Sequence, residues 1–305
     1  MITSIFSKSK PINFIIVVVF VIMLFVISNY DLLVADFGTI SEMIFKLFVT
    51  LFSVFVLDFI ISKNSLTQRN SYAIMMFGLM FWLFPEALKH SHLLLSNLFV
   101  LFALRRIISL HTKISIKKKL FDAAFWIALA TLFYFWALLF FAIIIVALIY
   151  YFQNDVKNII IPFIGVATVA VLLFTYNVIF YGVFITDSNI TRFASLDFTP
   201  YNSAQSIMKL TLLFTSLVWI LVFYFKNLAD KNKRLRPSYF LTAWASVIAV
   251  LVAIIAPIKN GSEFIFLFAP FSIIMANYLE MISDRWFKEI FIVLFLMVPI
   301  VGLLL

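Results

Sequence analysis

Residues 120–152 read LFDAAFWIALATLFYFWALLFFAIIIVALIYYF, an apolar run of 33 residues whose one charge, Asp122, sits near its start. Drawn as a single helix, the run would be about 50 Å long at about 1.5 Å per residue. The hydrocarbon core of a bilayer is about 30 Å thick and takes about 20 residues. One crossing is therefore too few for this run, and two are slightly cramped. The flanking charges arbitrate. Arg105, Arg106, Lys113, Lys117, Lys118 and Lys119 precede the run, and Lys157 follows it. Basic residues gather on the cytoplasmic side of membrane proteins, so both flanks belong there and the chain has to cross twice. The run reads as a tight hairpin turning near 133–139, with a short or re-entrant half as the alternative. Backbone broken in this way is tolerated only where protein or water satisfies it.

Working outward, apolar segments fall at about 12–28, 43–62, 72–88, 93–110, 159–181, 207–225, 239–257, 262–280 and 290–305. With the hairpin they make about 11 spans. The expected fold is an all-α polytopic transmembrane helical bundle, N-terminus cytoplasmic and C-terminus periplasmic. It forms one integral membrane domain over 1–305, with 182–206 as its longest outer loop and no separate soluble domain. Lys8 and Lys10 precede the first apolar run as they would in a signal peptide. No small-residue cleavage pattern follows, so the segment reads as a retained helix.

Composition points the same way. Only 12% of the 305 residues are charged and mean hydropathy is +1.13, whereas a soluble domain carries about 25% charged residues. Cysteine is absent, which excludes a disulfide scaffold, a thiol nucleophile and Cys-ligated metal. The net charge of +9 is an orientation signal: 18 of the 23 basic residues fall on the inner side in the eleven-span reading. It therefore does not point to nucleic acid. The basic loops are inner anchors that also attract anionic lipid head groups. No phosphate-binding Gly loop, dinucleotide fingerprint or HExxH motif is present.

The few outer polar groups are the candidates for chemistry, because charge at the edge of hydrocarbon is costly and often functional. Asp31 and Asp36 lie in the first outer loop, Glu86, Lys89, His90 and His92 in the turn between spans three and four, and Arg192 in the longest outer loop. Lys259 and Glu263 close the set. Short connections hold these groups at one membrane depth, where they could line one outward cavity. Asp31 or Asp36 would serve as a general base, and Lys89, Arg192, Lys259 and Glu263 would bind substrate and its phosphates. Glu86, His90 and His92 are weak candidates for a metal; no cofactor is otherwise implied. Lys259 and Glu263 are spaced for an i,i+4 pair, but Asn260-Gly261-Ser262 reads better as a turn and N-cap, with Glu263 in the first helical turn. Asp122 is expected to cap or neutralise its helix start. Asn97 and Asn177 read as embedded amides bonding between helices.

The order of elements resembles the polytopic glycosyltransferases that use polyprenyl-phosphate sugars, the GT-C class. These begin with one helix, an outer loop bearing a catalytic acid, and a second helix; a helix ending in paired Arg and a short-helix region follow. The corresponding stretches are the loop with Asp31 and Asp36, NLFVLFALRR from Asn97 to Arg106, and LFDAAFWIALATLFYFWALLFF. The resemblance covers roughly 12–150 and implies an enzyme acting on a lipid-linked sugar at the periplasmic face. The chain also resembles an uncharacterised family of polytopic inner-membrane proteins from Bacteroidota, through MITSIFSKSKPINF, SNLFVLFALRRIISL and KKLFDAAFWIALATLFYFWA. That likeness implies the inner membrane of a Gram-negative cell. A different class of function, a non-enzymatic subunit of an envelope complex for secretion, motility or lipid handling, fits the apolar, Phe-rich surface. A transporter would carry buried charge near the midplane, where the sequence places almost none.

Overall fold

The computed structural model describes residues 2–30, 37–151, 156–183, 193–228 and 231–304. All regular structure among them is helical: α1 (Ile2–Phe6), α2 (Pro11–Ser28), α3 (Phe37–Asn64), α4 (Tyr72–Leu83), α5 (Ser91–Ile108), α6 (Ile116–Phe133), α7 (Phe141–Tyr151), α8 (Val156–Tyr181), α9 (Ala204–Asn227), α10 (Arg236–Ile255), α11 (Ile265–Met281) and α12 (Arg285–Leu304). Seven helices among the described residues, α2, α3, α5, α8, α9, α10 and α11, are long and apolar enough to cross a membrane. The protein is an all-α, polytopic membrane protein.

Hydropathy alone does not distinguish these helices, but burial does. In α11, 89% of the span is buried inside the protein, against 17% in α8 and 22% in α9. α11 is therefore the axis of the bundle, and α8 and α9 face the lipid. Short α4 lies beside α11 with nearly every side chain covered. Phe77, Phe81 and Phe268 meet edge to face there at centroid distances of 5.2, 6.3 and 5.1 Å, the favourable geometry for aromatic quadrupoles. With only six glycines, phenyl rings rather than close backbone contacts fill this core.

The apolar run at 120–152 breaks where a hairpin was expected. α6 ends at Phe133, Tyr134 is extended, and a 3-10 turn over Phe135–Phe140 leads into α7. Tyr134 stacks on Phe266 at 5.5 Å. Tyr151, at the end of α7, comes back within 3.4 Å of Ser238 at the start of α10. The backbone at the break keeps local bonds: Tyr134 N–H donates to the Ala130 carbonyl (3.0 Å), and Ala137 N–H donates to the Tyr134 carbonyl (3.0 Å). Ser96 of α5 donates its hydroxyl to the same Ala130 carbonyl (2.9 Å).

Polar residues elsewhere in the spans are handled locally. Thr50, Ser53, Thr131, Thr168, Thr175 and Ser272 return their hydroxyls to carbonyls four residues earlier, so they cost little in lipid. Asn277 of α11 instead reaches across to the Leu66 carbonyl at 2.9 Å. Asp122 is not a cap: its carboxylate pairs with Arg106 of α5 at 2.9 Å, because the α6 start lies against the α5 end. An unforeseen helix, α1, is tied to α12 by Glu289, which accepts from the Ile2 and Thr3 amides at 3.2 and 2.8 Å.

Gly165 sets the closest approach of α8 to α6. A Cβ there would lie 2.8 Å from the Phe121 carbonyl oxygen and 3.2 Å from the Phe125 nitrogen, both backbone. At Gly78 the nearest atom would be a Val17 methyl at 3.3 Å, which can turn aside. Gly165→Ala should therefore destabilise the protein by about 1–3 kcal/mol, the usual range for overpacking, and Gly78→Ala by much less. Thermal unfolding of the two variants in detergent checks this.

Candidate functional site

Among the described residues, His90, His92, Glu263 and the turns that carry them come together at one end of the bundle. Asn29, just past α2, directs its amide to the Phe25 carbonyl (3.0 Å) and toward that of Leu88 (3.5 Å). Lys46 of α3 is buried and donates to the Lys89 carbonyl at 3.3 Å, with Glu42 at 3.6 Å. These contacts pin the 84–90 turn, which Pro85 starts by ending α4. The 256–264 turn packs against it: Phe84 stacks on Phe264 at 5.0 Å. Gly261 sits at φ +95° with Phe84 beside it, and a Cβ there would meet that ring at 3.0 Å, so conformation and space both require glycine.

Glu263 is the centre of this arrangement. It is 1% exposed. Its Oε2 accepts from Gly261 N–H at 2.9 Å, while Oε1 has no hydrogen-bond partner among the described residues. A small cleft of about 40 Å³ opens beside it, lined by His90, His92, Tyr134, Ser262 and Glu263 with apolar neighbours. That volume suits a water or a hydroxyl. The imidazoles of His90 and His92 lie 5.6 Å apart.

Asn260 fixes the state of His90. Its Oδ1 accepts from both the amide (3.0 Å) and the hydroxyl (2.6 Å) of Ser262. Its Nδ2 therefore faces His90 Nε2, at 3.2 Å, and must donate to it. His90 is then the neutral tautomer with its proton on Nδ1. Burial pushes the His90 pKa down, and Lys46 and Lys89 push the same way against the pull of Glu86.

The other expected site residues divide. Lys259 and Glu263 do not pair; the turn reading is the correct one, with Asn260 rather than Ser262 supplying the accepting oxygen. Lys259 Nζ donates to the Ala253 and Ile254 carbonyls at 2.8 and 2.6 Å and stands over the Phe198 ring at 5.0 Å. Val252 and Ile255 carbonyls accept from Ala256 and Ser195 amides at 3.0 and 3.2 Å. All four terminal carbonyls of α10 are thus satisfied, two of them by one lysine. Glu86 pairs with Lys89 at 2.8 Å, both half-exposed, and does not join the histidines. Among the described residues, no three His, Asp or Glu side chains gather as a metal site would require. Asn97 and Asn177 are buried in α5 and α8; the Asn97 Oδ1 lacks a partner among the described residues. Asp31, Asp36 and Arg192 lie outside the described residues.

Sequence reasoning gave Lys46 and Asn260 no site role and did not single out Tyr134. Tyr134 carried one usable signal, the single hydroxyl at the point where the long apolar run has to break.

The family model of a family of unknown function, DUF6427, matches residues 1–303, and the chain belongs to that family. No curated protein and no solved structure matches the chain.

Lys259→Met should strip two α10 carbonyls of a charged donor. We expect a loss of about 2–3 kcal/mol, the scale of charge-assisted hydrogen bonds, seen as a lower unfolding temperature in detergent.

Proposed function

We propose that this member of the DUF6427 family is a membrane-embedded transferase of the bacterial inner membrane. In this reading it acts at the periplasmic face on a polyprenyl-phosphate-linked sugar and passes a proton at the Glu263 cleft. The observation that carries the reading is the buried, unpartnered Glu263 Oε1 beside two imidazoles and a phenol. Moving a glycosyl group from phosphate to an acceptor hydroxyl needs a group that takes the hydroxyl proton and cations that offset the departing phosphate. The cleft has room for the hydroxyl alone, which is the part of an acceptor that has to be deprotonated. Asn260 already occupies the Nε2 lone pair of neutral His90, which leaves the Glu263 carboxylate as the acceptor in the cleft. Asp31 and Asp36 keep the catalytic role that the GT-C likeness implies, and Arg192 and Lys89 the phosphate role. The Lys89–Glu86 pair is exposed and so weakly held, which leaves Lys89 able to change partner. Lys259 has no phosphate role in this reading, because its ammonium donates to two α10 carbonyls.

The proposed topology has eleven crossings with the N-terminus cytoplasmic. It is supported by the two chemically distinct ends of the bundle. Ser9 N–H bonds the Arg69 carbonyl, Arg106 pairs with Asp122, and Arg234 bonds the His111 carbonyl, all at the basic end. Lys46, Lys89, His90 and Glu263 lie at the other. A second reading, a non-enzymatic envelope subunit, is favoured by the breadth of apolar surface that α8 and α9 leave uncovered.

Two experiments test these readings. In cells lacking the protein, unspent polyprenyl-phosphate sugar should accumulate in lipid extracts. The wild-type gene should clear it, and Glu263→Gln, made in normal amount, should not. An unchanged lipid-linked sugar pool on deletion rejects the transferase, and a stoichiometric partner on purification then favours the subunit. For topology, the cysteine-free chain allows single probes: Asn202→Cys should react with an impermeant maleimide in spheroplasts, and Ile114→Cys only after lysis.

A further inference from the structure

The basic end of the bundle holds a second feature, unconnected with the Glu263 cleft. A cavity of about 530 Å³ opens between the α5–α6 connection, the end of α7 and the start of α10. Its polar lining includes Lys113, Lys233, Arg234 and His111. Among the described residues none of the three cations has a carboxylate partner. Arg234 spends its Nε on the His111 carbonyl at 3.3 Å, which orients the guanidinium and leaves its terminal N–H groups for another acceptor. Lys113 is carried at φ +57° on the turn that ends the 109–112 segment. Three cations around one cavity repel one another, and an anion between them removes that cost.

Tyr150 lines this cavity and also a second groove of about 350 Å³, formed with Phe225, Phe240, Trp244 and Val247. Positions 240, 244 and 247 share one face of α10. Tyr150 stacks on Phe240 at 5.5 Å, and Phe240 meets Phe225 at 5.9 Å. Most of these side chains remain exposed toward the surrounding lipid. A cationic pocket at the membrane boundary thus continues directly into an apolar trough running away from it along the bundle. The two halves match the two halves of one molecule.

We propose that this pocket and groove form a specific binding site for an anionic glycerophospholipid, its phosphodiester held by Lys113, Lys233 and Arg234 and an acyl chain laid over Tyr150, Phe240 and Trp244. A soluble phosphate would use the pocket and ignore the groove. General attraction of the basic end for an anionic leaflet would use every lysine there equally.

The test is native mass spectrometry of the purified full-length protein in mild detergent, titrated with phosphatidylglycerol or phosphatidylcholine. The wild type should retain phosphatidylglycerol selectively. Lys233→Gln/Arg234→Gln should lower its retention roughly thirtyfold, the effect of two basic residues at about 1 kcal/mol each at an anionic membrane surface. Lys8→Gln/Lys10→Gln, which removes as much charge from the same end away from the pocket, should change it little. Trp244→Ala should weaken retention with all charges intact. Equal losses in the two double variants, or displacement of the lipid by glycerophosphoglycerol at matched concentration, would overturn the site. Should the Arg234 variant unfold, Lys113→Gln/Lys233→Gln makes the same comparison.

Discussion

Inside hydrocarbon a backbone N–H or C=O has no water to turn to, so a chain can leave the helix only where protein satisfies the groups set free. In this protein the rule bears hardest on Tyr134. The chain stops being helical there, in the middle of its longest apolar run. The break holds because α5 and α11 are already alongside. Ser96 supplies a hydroxyl to the Ala130 carbonyl, Phe266 covers the ring, and a short 3-10 turn keeps its own bonds until α7 begins. Drawn as one helix, 116–151 would be about 54 Å long at about 1.5 Å per residue, and the end of α7 would not return to α10. The contact between Tyr151 and Ser238, and the cavity at the basic end, depend on the return.

The same demand for backbone satisfaction explains the fate of the lysines at the opposite end. Lys259 in an outer loop looks, by composition, like a group waiting for a ligand. Four α10 carbonyls end at that point, however, and the nearest long cation reaches two of them. Lys46 does the equivalent for the 84–90 turn. Each lysine is positioned by unpaired carbonyls before any ligand arrives, a competition that residue type alone does not disclose.

What was legible follows from this division. Span positions came from apolar length, and the break in 120–152 from the conflict between its length and the charges on both flanks, because these are one-dimensional properties of the chain. The gathering of His90, His92 and Glu263 was legible for a similar reason: short connections confine outer residues to one depth. The pairing of those groups was not, since it depends on which turn rests on which. Asn260 accepts from Ser262 two residues on and at the same time meets His90 across the turns, and Asp122 pairs with Arg106 of the neighbouring helix; the last two depend on neighbours distant in the chain. Asp31, Asp36 and Arg192 lie beyond the described residues, and their part rests on the sequence alone.

One detail of the 256–264 turn bears on why it holds a carboxylate at all. The turn needs an acceptor for Gly261 N–H, and a glutamine carbonyl would supply it through the same geometry as Glu263 Oε2. A glutamine would remove the ionisable oxygen, which has no partner among the described residues, but would put an NH2 donor in its place, and burying either one unpaired is costly. Glu263 differs from its amide in that its second oxygen accepts hydrogen bonds and can gain and lose a proton, where the amide NH2 only donates. Glu263 lines the cleft together with His90, His92 and Tyr134. Turn geometry accounts for a hydrogen-bond acceptor at 263, and what sets the acid apart from other acceptors there is its second, buried oxygen.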